Sequence, residues 1–452
     1  MLSNHKNKPF LIPDDVIANV RARIDQGWAP SIIIGVVDAD GSRYFAYGNT
    51  KFKDGKPVDQ HSVFEIGSIT KLFTALALAD MVVKEEVALD DPVQRYLPDH
   101  VHVPKSGTKE ITLRLLATHF SGLPSILPNF VPRDPHAPYP YMIYDKDKLI
   151  ECLNGYSLTR DPGTKFEYSN FGMRLLGIAL AHHDGVPYED MLRRRVLTPL
   201  GMTSTMVALT PEAETRLAIG SQDGHPVPNC YLGEVAGSGG LRSNAKDMTK
   251  FLSAAMGLTK TTLYPAFQLA ETPIFDVMPD YCFGLAWCIR KYASGHILSH
   301  DGGTGGYRSI VIFDKVKSVG VVVLTNSTEN INEIANHMID PTTQLAPVRT
   351  VMKISSVEMK AYVGRYKLTP TITIAVTCQE DILLFQSIGD KIFPGADPEE
   401  LIRLWAKAPD EFYFHRAPAT VSFTRGDDRR VTALILHHDK TDKLAERQCR
   451  NS

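Results

Sequence analysis

Ser68-Ile69-Thr70-Lys71 sets a hydroxyl and an amine three residues apart. On a helix that spacing brings both onto one face. A serine beside a lysine whose charge is opposed by burial is a nucleophile next to its base. The pattern alone is weak, since Ser-x-x-Lys also begins at Ser3, Ser106 and Ser243. Context separates Ser68. It follows a strand-like apolar run through Gly67 and opens the apolar helix LFTALALADMVV. A helix start offers backbone N–H groups and a positive dipole end to developing negative charge. The plainer alternative makes Ser68 a helix cap and Lys71 a surface lysine with a buried stem.

Two further segments fit the same chemistry. Tyr168-Ser169-Asn170 precedes another apolar helix, FGMRLLGIALA. There Tyr168 would relay a proton, and Asn170 would fix Lys71 or hold a substrate carbonyl. The tripeptide is not specific, because Tyr47-Gly48-Asn49 has the same spacing. The third segment is His300-Asp301-Gly302-Gly303, at the mouth of an expected strand hairpin. Glycines there let a substrate approach the backbone, and the Gly303 N–H would pair with the Ser68 N–H as an oxyanion hole. A glycine-rich turn with an exposed histidine is the alternative.

These residues need elements to hold them. Asp14-Asp15 opens a helical stripe with Val16, Ile17, Val20 and Ile24. SIIIGVVDADGSRYFAYG reads as a hairpin about Asp40-Gly41. Residues 110–260 alternate helical stripes with Pro- and Gly-rich loops, as a helical lobe would. After Phe283, short apolar runs (FGLAWCI, HILSH, YRSIVIF, VGVVVLT) read as a meandering antiparallel sheet, closed by a helix at NINEIANHM. The early hairpin and these late strands are expected to share one sheet. A linker-like stretch, DPTTQLAPVRT, then leads to about seven β-like runs. The expected class is α+β: an antiparallel sheet flanked by helices with an inserted helical lobe, followed by a small all-β barrel-like domain. The boundaries are 1–345 and 346–452.

In this order, SITK, YSN and HDG resemble the Ser-x-x-Lys, Tyr-x-Asn and Lys-Thr-Gly motifs of class C β-lactamases and the related penicillin-binding DD-peptidases and esterases. LLATHFSGLP, PGTKFEYSNFGMRLLG, PLGMTS and GSGGLRSNAKDMTKFL are similar to that family too. The resemblance covers roughly residues 14–340. The C-terminal part looks like a lipocalin-like domain appended to some peptidase members, through AYVGRY. The resemblance implies that Ser68 is acylated, that Lys71 and Tyr168 share acid–base work, and that Asn170 positions lysine and substrate. It puts the oxyanion hole at the N–H groups of Ser68 and Gly303. His300 stands in place of the family's lysine, which helps bind a substrate carboxylate. The expected substrates are therefore small esters, or amides and short peptides of D-amino acids. β-Lactamase or DD-carboxypeptidase activity is the alternative. A catalytically silent scaffold for peptidoglycan-like ligands is the reading from another class.

The bulk composition is globular: 452 residues, 43% hydrophobic, 22% charged, formal net charge -2. Nothing builds a basic footprint for nucleic acid. No run reaches the ~18 apolar residues of a membrane span. The start lacks a signal-peptide core, and the six cysteines (Cys152, Cys230, Cys282, Cys288, Cys378, Cys449) have no metal or redox spacing. Free thiols and a cytoplasmic location are expected. No cofactor and no metal are expected, since His182-His183 and His437-His438 are adjacent pairs that cannot share a helix face. No Gly-x-Ser-x-Gly elbow supports an α/β-hydrolase triad. Glu151-Cys152-Leu153-Asn154 is read as helix surface. The sequence leaves the oligomeric state open.

Overall fold

The computed structural model describes residues 10–126, 145–293, 295–379, 382–390, 392, 401–415, 419–439 and 441–448. The chain divides into two units, Met1–Ala346 and Pro347–Ser452.

In the first unit the expected hairpin forms. β1 (Ser31–Asp38) pairs with β2 (Gly41–Gly48) from Ser31↔Gly48 to Asp38↔Gly41. The late strands follow as β3 (Phe275–Met278), β4 (Tyr281–Phe283), β5 (Cys288–Tyr292), β6 (Gly295–Gly303), β7 (Arg308–Asp314) and β8 (Val319–Thr325). All eight share one antiparallel sheet in the order β2-β1-β8-β7-β6-β5-β4-β3. The two ends of the unit therefore meet at β1 and β8, with Ile34 opposite Val323.

Both faces of this sheet are covered. Alternate residues of a strand point to opposite sides. Ile32, Ile34 and Val36 pack with Val16 and Val20 of α1 (Asp14–Asp25), and with Ile334 and Met338 of the last helix. Ile33 and Val37 belong to the opposite cluster, with Phe73 and Leu76 of α2 (Thr70–Val83). That cluster extends through the helical lobe, including α3 (Asn170–Asp184) and α4 (Ala245–Ala255). α5 (Asn332–Ile339) is the closing helix expected at NINEIANHM. Burial on both faces explains why SIIIGVVD and VGVVVLT read as unbroken apolar runs.

One expected strand is corrected. FGLAW does not run as a strand between Cys282 and Cys288. Phe283 pairs with Cys288, and residues 284–287 form the turn between β4 and β5. Leu285, Ala286 and Trp287 are buried in that turn. The Leu285 and Ala286 N–H groups donate to Ala270 O and Ala117 O, both at 2.8 Å. An apolar turn buried against other elements has a strand's composition without its pairing. All the cysteines described are free thiols.

The second unit is a closed antiparallel barrel of eight strands, from Gly364–Lys367 to Thr441–Arg447. It closes where Tyr366 faces Arg447, so the barrel leaves no open edge. Ile374, Phe385, Phe412, Phe423 and Leu434 are among the residues that fill its core. The last strand, TDKLAER, buries only Ala445, so it carries no apolar alternation for a sequence reading to find.

Candidate active site

Ser68 lies on a sharp bend. The short strand Phe64–Glu65 pairs with Arg242–Ser243, and the chain then turns through Gly67 at φ +50°. A 3-10 turn, Gly67–Ile69, precedes α2, whose N-terminus has no side-chain cap. Ser68 is therefore not a helix cap. The bend presses against the end of β6: a Cβ at Gly67 would lie 2.6 Å from Gly303 N. Gly302 is as tight, since a Cβ there would lie 2.1 Å from Ile66 O and 3.0 Å from Ser68 N. The space expected for substrate at Gly302 is instead filled by the serine turn. Thr304 N donates back to Tyr307 O at 3.1 Å, so strand alternation turns the Gly303 N–H away from β7.

Lys71 has no exposed surface, which removes the surface-lysine alternative. Its Nζ lies 3.0 Å from Ser68 Oγ, 2.8 Å from Asn170 Oδ1 and 2.5 Å from Ser238 O. Burial holds its pKa well below the usual lysine range, with help from the Arg174 charge and some opposition from Asp301. Of the three partners, the two carbonyls only accept, whereas the serine hydroxyl can donate. A neutral amine satisfies all three by giving its two N–H groups to the carbonyls and its lone pair to the Ser68 hydroxyl.

The Tyr168 ring centroid is 4.7 Å from Lys71 Nζ. Its hydroxyl is hydrogen-bonded to Ser68, and burial raises its pKa, so the phenol keeps its proton. Ser169 caps α3: its Oγ accepts from Gly172 N at 2.8 Å and donates to Pro124 O at 2.7 Å. Asn170 is thereby the first residue of α3.

His300 is not the exposed histidine of a glycine-rich turn. It is 3% exposed, and its Nδ1 lies 2.6 Å from the backbone O of Asp301. A carbonyl can only accept, so Nδ1 carries the hydrogen. Burial lowers its pKa to about 4. The ring is neutral and packs near Tyr168, with centroids 6.3 Å apart. Asp301, its neighbour on the strand, is exposed.

Beside Ser68 opens a cavity of about 210 Å³, lined in part by Asn170, Arg174, Ser238, Gly303 and Thr304. No group of His, Cys, Asp and Glu able to hold a metal ion occurs among the described residues.

The family model described as "Beta-lactamase" matches residues 16–338. The chain belongs to the beta-lactamase family. It is 26% identical over 365 residues to the D-alanyl-D-alanine-carboxypeptidase/endopeptidase AmpH of Escherichia coli (strain K12), covering 75% of this chain and 93% of that protein. It is 26% identical over 438 residues to penicillin-binding protein 4* of Bacillus subtilis (strain 168), covering 89% and 92%. A class C beta lactamase from Rhodobacter sphaeroides shares the fold, with a TM-score of 0.63 at 22% identity over 73% of this chain and 99% of that one. Membership makes this beta-lactamase-family protein a serine hydrolase that works through an acyl-enzyme.

Three residues of this beta-lactamase-family site carried no role in the sequence reading. Ser238 supplies a backbone carbonyl, which no side-chain pattern announces. Arg174, one helical turn after Asn170, donates from Nε to Ser238 Oγ at 3.1 Å. His119 lies within LLATHFSGLP and grips the Tyr-x-Asn turn. Its O accepts from Glu167 N at 2.9 Å, its Nδ1 accepts from Ser169 N at 3.2 Å, and its ring packs 4.5 Å from that of Tyr168. It does so at φ +65°, a rare conformation for a residue other than glycine. Its family motif was visible, but nothing in the sequence signalled that backbone.

Proposed function

We propose that Ser68 is the acylated nucleophile, Lys71 its base and Tyr168 the acid that protonates the leaving group. The observation that carries this is the bonding of Lys71 Nζ, whose one donor-capable partner is the Ser68 hydroxyl. Burial opposes the charged form of both lysine and tyrosine. The resting pair is thus a free amine and an intact phenol, which is the state a base and an acid need. The N–H groups of Ser68 and Gly303 form the oxyanion hole, with Gly67 and Gly302 allowing the two backbones to meet. Asn170 holds Lys71 and the substrate carbonyl.

The substrates are small esters, or amides of D-amino acids, without a carboxylate on the leaving-group side. His300 is neutral where the family's lysine would be charged, and Asp301 adds negative charge nearby. A second reading, D-alanyl carboxypeptidase or β-lactamase action, is favoured by the similarity to AmpH and penicillin-binding protein 4*. A panel separates the two: p-nitrophenyl esters, D-amino-acid anilides, D-Ala-D-Ala peptides and nitrocefin, each run with wild type and Ser68→Ala. Neutral esters or anilides should show the higher kcat/KM, and Ser68→Ala should lower turnover by about 10⁴-fold or more. A wild-type preference for nitrocefin or D-Ala-D-Ala peptides would establish the second reading.

A further inference from the structure

One charge at the edge of the site is unanswered. Asp301 is exposed, and among the described residues its carboxylate has no ion pair and no hydrogen bond. Its place on β6 sets the side from which it projects. Ser299, two residues earlier, lies opposite Cys288, and Cys288 lies opposite Phe283. Opposed residues share a face, as do alternate residues of one strand, so Asp301, Cys288 and Phe283 project together. The Phe283 ring is 5.8 Å from that of His119, which is 4.5 Å from that of Tyr168. This is the Tyr168 side of the nucleophile. The Asp301 charge is felt there: it raises the pKa of Tyr168, Cys288 and Tyr281. Two guanidiniums border the same face. Arg290 gives Nη1 to Tyr292 Oη at 3.3 Å, Arg308 gives Nε to Thr328 O at 3.3 Å, and neither pairs with Asp301.

We infer that Asp301 is a specificity residue that selects leaving groups carrying an ammonium. The inference rests on the acyl-enzyme reading of Ser68 and names the leaving half of its substrates. A leaving group protonated by Tyr168 departs past the face from which Asp301 projects. No fixed lysine charge stands there to repel a cation, because the ring of His300 is neutral. A carboxylate without a protein cation is solvated by water alone, so an ammonium gains its attraction without displacing a partner. Asp301 itself precedes Gly302, whose Cβ would lie 3.0 Å from Ser68 N, so the charge sits one residue from the serine turn.

The test uses two thioesters of closely matched shape. Acetylthiocholine and S-(3,3-dimethylbutyl) thioacetate share the acetyl group and differ at one atom, a quaternary nitrogen against carbon. In acylation the bond from Ser68 Oγ to the acetyl carbon forms and the C–S bond breaks. The hydroxyl proton passes through Lys71 to the departing thiolate, and water then releases acetate. Thiol release by the full chain gives kcat/KM for each compound. Wild type should prefer the cationic thioester about fivefold at low salt, and the ratio should fall towards one at about 0.5 M NaCl. Asp301→Asn keeps the size and removes the charge, so its ratio should be about one, while Asp301→Glu should keep part of the preference. A residue acting only through Lys71 or Tyr168 would change both thioesters together and leave the ratio where it was. A wild-type ratio of one or below overturns the assignment, whether or not the variants fold. So does a preference unmoved in folded Asp301→Asn. So does failure to turn over the cationic thioester in protein that fluorophosphonate labels at Ser68. The acyl-enzyme reading fails separately, without reference to the ratio, if fluorophosphonate does not label Ser68 or if Ser68→Ala still hydrolyses both thioesters.

Discussion

Lys71 gives up a proton when the chain folds. Its folded pKa is held well below the ordinary value by burial, while the unfolded chain keeps the proton up to ~10.4. Between those limits the unfolded state binds one proton more, so stability rises with pH. Lys71 thus costs stability at neutral pH, and that cost disappears above the unfolded pKa. The stability of Lys71→Met relative to wild type should be greatest at low pH and decline towards pH 10. Urea unfolding of both proteins at pH 6, 7.5 and 9 measures it, and a constant difference would contradict a neutral lysine. The same titration governs turnover. Activity should be lost as pH falls through the lowered Lys71 pKa, and Tyr168→Phe should keep that acid limb while cutting kcat by about 10²–10⁴-fold. Lys71→Ala combined with Tyr168→Phe should cost less than the product of the single losses, since one proton path serves both. Full multiplicativity would separate their roles. At this scale the sequence was legible where chemistry resides in side-chain type and setting, as with Ser68, Lys71 and Tyr168. The Ser238 carbonyl and the buried ring of His300 depend on tertiary placement, and no pattern of residues encodes that.

Among the elements, the tip of β6 and the His119 turn do the positioning. Gly302→Ala would drive a methyl against Ile66 O and Ser309 Oγ, which a Cβ would meet at 2.1 and 2.5 Å. β6 must then withdraw from the serine turn. Fluorophosphonate labelling should slow by about 100-fold, consistent with a displacement of about 1 Å. Labelling at the wild-type rate would mean that the contact is dispensable. His119 is 1% exposed and neutral, with its pKa pushed well down by burial. His119→Phe keeps a ring but loses the acceptor for Ser169 N. His119→Asn keeps an acceptor and tolerates the left-handed backbone. The asparagine variant should retain the larger kcat, and the reverse order would assign the turn to ring packing alone. The hairpin at Asp40-Gly41 and the closing helix were legible because turn chemistry and periodicity are local. FGLAW was misread because buried apolar turns and strands draw on the same residues.

At the scale of the molecule, the side chains and backbone groups around Ser68 come from residues 68–304, within the first unit. A protein ending at Ala346 should therefore fold and label at Ser68 at a rate within about threefold of the full chain. Loss of labelling in a folded truncation would assign the barrel a part in the chemistry. The sheet itself was legible as two separated groups of strands, and the barrel as evenly spaced runs. What could not be read was the last barrel strand, whose charged surface hides its pairing.

The meeting of β1 with β8 also sets a timetable. During synthesis the serine turn is made more than two hundred residues before Gly303. At ~5–20 residues per second the delay is roughly 10–50 s. Through that interval β1 has no β8 beside it, and its backbone groups on that edge stay unpaired. The other six pairings of this sheet join strands adjacent in sequence, so the pairing of β1 with β8 is the one that waits for the late strands. The same delay is protective. The serine turn has no glycine strand to press against until residue 303 has been made, so an unfinished chain does not carry a finished hydrolase.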